Sequence, residues 1–185
     1  MSEASFEKIA KILANSKFIV TAGNGGSALT ASHFASDLSK LGILAYCLSD
    51  NPATITALTN DFGFEDLYVI QLKNLPIKPD VVMVFSVHGG VRREDGSLWS
   101  SNLVKLVEEA KKQGITTISI TGFDGGYLKE ISDYNFNVDL DDTEEVEGIH
   151  SLVAHLIVAT VRDLKEVAGL KEETSTVEAY LESLR

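Results

Sequence analysis

The stretch Thr21–Phe34, TAGNGGSALTASHF, decides how the rest of the chain is read. A β-branched run, KFIVTAG from Lys17, leads into it, and a pattern of apolar residues at helical spacing leads out. Strand, glycine turn and helix therefore follow one another in that order. Three glycines stand within Gly23–Gly26. Each costs conformational entropy on folding, so the cluster implies that something approaches the backbone closely there.

Working outward, the same alternation recurs. Residues 3–15 have Phe6, Ile9, Ala10 and Leu13 on one helical face. Residues 27–41 predict a helix, 43–49 (ILAYCLS) a strand, and PATITALTND a further helix. A Pro-bounded loop precedes a third strand at 80–86, DVVMVFS. SSNLVKLVEEAKKQG is an amphipathic helix with a closing glycine, ITTISIT a fourth strand, GGYLKEIS a short helix and YNFNVDL a fifth strand. A long apolar helix is predicted over about 148–168, followed by an amphipathic one in KEETSTVEAYLESLR. Strands alternating with helices predict a three-layer αβα sandwich around a five-stranded parallel sheet of flavodoxin-like type. The expected organisation is one domain over 1–185, with a core of about 17–168 and a helical extension at 169–185. The one composition break is HGGVRREDGSLW, 88–99, inserted where a strand should turn into a helix.

The totals narrow the function classes. A single cysteine, Cys47, permits no intrachain disulfide and fits a reducing cytoplasm. No apolar run is long enough to span a bilayer, and acidic residues interrupt the N-terminal apolar positions, unlike a signal peptide. The expected location is cytoplasmic, with neither membrane nor nucleic acid as partner. The net charge of −11 argues against nucleic acid, which needs clustered Lys and Arg.

Three strands end in loops of phosphate-binding character: AGNGGS, SVHGG and TGFDGG. Ligands of open α/β sheets bind beyond the carboxyl ends of the strands, where glycines expose N–H groups and helix N-termini add partial positive charge. Ser27 and Ser100 either donate hydroxyls to an anion or cap their helices. Neither a GK[ST] sequence nor a good GxGxxG pattern is present, so a nucleotide is the weaker choice.

His33 and Asp37 stand four apart on one helix face. Such a pair can chelate a metal, can join a base to its orienting carboxylate, or can be a solvated polar stripe. Six carboxylates crowd Asp139–Glu147, followed by His150 and His155. An acidic helix start accounts for Glu144 and Glu145. It accounts poorly for His155, set among Val153, Ala154, Leu156 and Ile157 and either a buried structural histidine or a catalytic one. On one straight helix Glu147 and His155 would lie about 12 Å apart, so they can share a centre only if Glu147 precedes the helix or the two come from different subunits.

GNGGSxxxxxHF from Gly23, NDFGF from Asn60, S-x-x-G from Ser86, TGxDGG from Thr121 and E-G-I-H-x-x-x-x-H from Glu147 together resemble the sugar isomerase (SIS) domain family, and within it the branch acting on heptose phosphates. The resemblance runs from about Lys17 to Leu164. It implies a five-stranded α/β fold, a homo-oligomer with sites at subunit interfaces, and aldose–ketose isomerisation of a phosphosugar. By that likeness Asn24, Gly25, Gly26, Asn60 and Asp61 contact substrate, as does Glu147. Ser86, Val87 and His88, with Ser100, hold its phosphate, and Ser27 is a further substrate-binding candidate. Zinc or another divalent metal, one per site, is implied at His33, Asp37, Glu147 and His155. The chemistry needs a base for a carbon-bound proton and an acid for the oxygens, roles that fall to Asp37 and His155.

The chain departs from that family at four places. It has Asp37 where the family has Glu, and Glu147 where it has Gln. Its serine-rich phosphate loop reads Ser86, Val87, His88, with Arg92, Arg93 and Trp99 in the insertion that follows. The helical segment before the first strand is short. These departures leave a second reading: a non-catalytic SIS-domain module that senses a phosphosugar or adapts a protein partner.

Overall fold

The structure, a computed structural model, describes residues 5–91 and 96–183, with side chains through residue 169. The elements follow in chain order: α1 (Phe6–Ala14), β1 (Phe18–Gly23), α2 (Gly26–Lys40), β2 (Leu44–Cys47), α3 (Pro52–Phe62), α4 (Leu67–Lys73), β3 (Val81–Ser86), α5 (Ser101–Lys112), β4 (Thr116–Gly122), α6 (Gly126–Ile131), β5 (Tyr134–Val138) and α7 (Thr143–Ser183). All five strands pair in parallel in the order β2-β1-β3-β4-β5. The predicted three-layer α/β fold is therefore the observed one.

A parallel sheet covered on both faces needs strands apolar on both faces. β1 and β3 meet this demand, since FIVTAG and VVMVFS are buried at every position. Ile19, Met83, Phe85, Ile118 and Ile120 face a core built with α1, α2 and α7. Val20, Ala22, Val82 and Val84 face the opposite core, closed by α4 and α5 with Leu128 of α6. The sheet grows outward from β1 in one direction and from β3 in the other, so the topological switch lies between these two strands.

Two elements differ from the sequence reading. LYVIQLK forms α4, within what composition suggested was a loop, because Leu67, Tyr68, Gln71 and Leu72 recur at helical spacing and are all buried. The two C-terminal helices are one: α7 runs without a break through residue 168 to Ser183. α7 begins at Thr143, after Asp142, whose Oδ1 accepts the Glu145 N–H at 2.9 Å.

The start of α2 is set by close approach. A methyl group on Gly23 would stand 2.4 Å from the Ser27 carbonyl oxygen, so only glycine lets β1 end this near the first turn of α2. Gly25, with φ 56°, is the N-cap, and Ser27 lies within the helix rather than capping it. Ser100 occupies the N-cap position of α5 without a side-chain capping bond.

Candidate functional site

At the switch point, the carboxyl ends of β1 and β3 open into a cleft of about 170 Å3. Asn24 and Ser27 line one side, and Phe85, Ser86, Val87 and His88 the other. Ser100 and Leu103 close it from α5, and Thr143 and Glu147 from α7. The cleft thus lies between the N-termini of α2 and α5, each carrying roughly half a positive charge. Among the described residues no Lys or Arg lines it. An anion here meets, among the described residues, hydroxyls, backbone N–H groups and two helix ends.

Seven of the residues singled out from sequence meet in this cleft: Asn24, Ser27, Ser86, Val87, His88, Ser100 and Glu147. Gly25 and Gly26 adjoin it at the start of α2, and the Glu147 carboxylate packs against Gly26. A Cβ there would stand 2.3 Å from Oε2. Ser86 Oγ accepts the Gly89 N–H at 3.2 Å, which fixes the turn after β3. His88 is held between Trp99 and Phe123, with ring centroids 4.6 and 4.5 Å away. Burial lowers its pKa, so the neutral imidazole prevails near pH 7.

The third glycine-rich loop does not reach the cleft. Its Gly126 packs against the carbonyls of His88 and Gly89, where a Cβ would be 2.5–2.6 Å from both oxygens. Leu128 N–H donates to the Gly89 carbonyl at 2.7 Å, and Gly122 N–H to Val87 at 2.9 Å. TGFDGG therefore buttresses the loop after β3 from behind. Asn60 and Asp61 stand apart too. They lie at the end of α3, a helix with no buried residue, and Asn60 Nδ2 donates to Asp61 Oδ1 at 2.9 Å. Arg92 and Arg93 lie outside the described residues.

A second cluster sits where α2 and α7 pack together. Asp37 Oδ2 is 3.5 Å from His33 Nε2 and 3.8 Å from His155 Nδ1, and the two imidazoles meet edge to face at 5.1 Å. Asp37 Oδ1 accepts from Lys40 Nζ at 2.9 Å. That hydrogen bond, helped by the nearby histidines, holds the Asp37 carboxyl below the ordinary aspartate range. The His155 side chain is 53% exposed and that of His33 57%, so neither is sealed in the core. The fully buried histidine of α7 is His150 instead.

His33, Asp37 and His155 are thus brought together, but Glu147 is not with them. It lies within α7 two turns before His155, about 12 Å along the axis, and faces the cleft. Two imidazoles and a carboxylate are zinc donors by type. As they stand, however, no three His, Cys, Asp or Glu side chains among the described residues are arranged to hold a metal ion. Asp37 lies between the imidazoles with Lys40 on its other oxygen. Leu29, Leu152 and Leu156 on the same two helices are exposed. Among the described residues no helix is long and apolar enough to cross a membrane.

Sequence reasoning missed Phe85, Leu103 and Thr143 in the cleft, and Tyr68 and Asn102 just behind it. The available signal for Asn102 was an amide in the first turn of an otherwise amphipathic helix. Tyr68 was hidden with α4.

Comparison with known proteins agrees with this fold. The SIS-domain family profile matches residues 3–122. Phosphoheptose isomerase of Helicobacter pylori (strain Shi470) is 35% identical over 159 residues, spanning 83% of this chain and 78% of that protein. A probable phosphoheptose isomerase of Thermoplasma acidophilum is 32% identical, spanning 84% of each. Among solved structures, a phosphoheptose isomerase from Francisella tularensis superposes with a TM-score of 0.76 at 27% identity, covering 85% of this chain and 84% of its own. One from Neisseria gonorrhoeae gives 0.74 at 28%, covering 85% and 83%.

Proposed function

The chain belongs to the SIS-domain family, among its phosphosugar isomerases, and from that premise we propose that it interconverts the ketose and aldose forms of a heptose phosphate through an enediolate. The observation that carries this reading is the pairing of two sites along α2 and α7. An anion cleft lies at one end, and an aspartate between two imidazoles lies about two helical turns further on. A substrate that reaches both needs several carbons between its phosphate and its carbonyl, which favours a seven-carbon chain in open form over a triose.

The roles follow from the side chains. Ser27, Ser86 and Ser100, with the N-termini of α2 and α5, bind the phosphate and anchor the sugar. Asp37 accepts the carbon-bound proton. His155, beside it, carries a proton between the two neighbouring oxygens as the carbonyl changes place. The negative charge that develops is stabilised by N–H donation from the His33 and His155 imidazoles beside Asp37. To hold zinc, His33, Asp37 and His155 would have to turn from this arrangement and Asp37 be released by Lys40, with a further donor from outside this set. Bound there, the metal would polarise the substrate oxygens.

The exposed Leu29, Leu152 and Leu156 around the His–Asp cluster support a homo-oligomer whose partner covers the α2–α7 surface. Exposed Asn60 and Asp61 would then contact substrate only across that interface. The test is incubation with zinc and a panel of ketose phosphates, with sedoheptulose 7-phosphate first, watching for the aldose. Turnover that disappears in Asp37→Asn and His155→Asn supports the proposal. No product from any ketose phosphate refutes it.

A further inference from the structure

Two side chains that hold the cleft in shape lie outside it. Asn102, the second residue of α5, is 0% exposed and is not among the lining residues. Its amide and that of Asn24 bond head to tail. Asn24 Nδ2 donates to Asn102 Oδ1 at 2.9 Å, and Asn102 Nδ2 donates back to Asn24 Oδ1 at 2.9 Å. Asn102 Oδ1 also accepts the Leu103 N–H at 2.9 Å. On the opposite side, the Tyr68 hydroxyl donates to the Gly23 carbonyl at 2.6 Å and lies 3.3 Å from Asn24 Oδ1. Ser49 Oγ completes this group, 3.1 Å from the Gly23 carbonyl and 3.0 Å from Tyr68 Oη.

A primary amide has two donor hydrogens and two acceptor lone pairs. The reciprocal pair takes one of each from Asn24 and fixes the plane of its amide. At most one Asn24 N–H remains for anything in the cleft. Only a second primary amide can both give and accept in this way, since a carboxylate has no donor. The pair joins residues 78 positions apart, one before α2 and one at the start of α5. These are the two helix ends whose partial charges face the cleft, and such charge–dipole attraction falls off within a single turn.

We propose that Asn102, backed by Tyr68, is a positioning residue for anion binding. The amide pair makes Asn24 a brace that sets the spacing of the two helix N-termini, and the phosphate of the substrate reads that spacing. The inference rests on the phosphosugar reading above, but concerns how the cleft is held rather than what is isomerised.

The test uses the full chain, with calorimetric titration of inorganic phosphate beside steady-state kinetics on sedoheptulose 7-phosphate. Asn102→Leu should weaken phosphate binding roughly tenfold and raise KM by a similar factor, with kcat within about threefold, because the lost interaction acts on binding alone. Asn24→Ala combined with Asn102→Leu should bind no worse than Asn24→Ala alone, since either change removes the same brace. Tyr68→Phe should give a smaller loss of about threefold, the size of a modest hydrogen bond. Should Asn102→Leu fail to fold, Asn102→Asp carries the test, because it keeps the acceptor for Leu103 but cannot donate to Asn24. Additive losses in the double variant, or a lowered melting temperature with unchanged phosphate affinity, would overturn the proposal. Wild-type protein that does not bind phosphate would sink the phosphosugar reading as well. Wild-type binding that no substitution alters would sink the brace alone.

Discussion

A methyl group added at Gly23 should damage both the fold and the site. In Gly23→Ala the new Cβ would stand 2.4 Å from the Ser27 carbonyl oxygen, 2.5 Å from its carbon and 2.8 Å from the Ala28 nitrogen. Non-bonded carbon contacts settle at about 3.5–4.0 Å, so something must move by roughly 1 Å. All three atoms are backbone in the first turn of α2, and Gly23 itself is paired with Phe85 in the sheet. No rotamer change relieves the clash, which places the cost near the upper end of overpacking, about 3 kcal/mol. At about 2–4 °C per kcal/mol for a chain of this size, the melting temperature should fall by roughly 6–12 °C. The same displacement moves the N-terminus of α2 at the cleft, and an error of about 1 Å in positioning can cost roughly a hundredfold in rate. Gly148→Ala is the control. It lies within α7 with no neighbouring atom within 4 Å of the added carbon, and should gain about 0.5–1 kcal/mol. Differential scanning calorimetry and kinetics on both variants decide the matter. A Gly23→Ala protein that melts within about 2 °C of wild type with unchanged KM would show that the contact between β1 and α2 is not as tight as described.

Further expectations can be checked on the same protein. Asp37→Asn should lower kcat by roughly 10²–10⁴-fold, the loss of a general base, with at most a modest fall in melting temperature from the weakened Lys40 contact. Dialysis against a chelator should abolish turnover and added zinc restore it; activity indifferent to chelation would remove the metal from the proposal. His150 is 1% exposed, and burial lowers its pKa below the ordinary value of 6.5. The unfolded chain therefore takes up this proton first. The stability His150 contributes is full above about pH 6.5 and declines as pH falls from there towards the lower folded-state value. Urea titrations between pH 8 and 5 should show this decline, and it should flatten in His150→Gln; a slope unaltered by that change would assign it to other groups.

The order of strands and helices was readable from local pattern, because β-branched runs and 3.6-residue periodicity report burial one element at a time. So was the chemistry of the α2 face, since His33 and Asp37 are four residues apart and share it on any helix. α4 was hidden by its position between the turn at Gly63 and a Pro-bounded segment, and only its burial against the sheet identifies it. Continuity of α7 also escaped the sequence reading, because nothing local distinguishes two helices in line from one.

What tertiary structure alone decided is which distant groups meet. His155 joins Asp37, 118 positions earlier, only because α7 packs beside α2. The same packing carries Glu147 to the cleft instead, since both lie on one helix and a helix keeps residues eight apart about 12 Å from each other. The glycines after β1 could be recognised as a place of close approach from their number alone. That the approaching group is the backbone of α2 itself, and that Asn24 is tied to Asn102, depends on pairings across the sheet that no stretch of sequence contains.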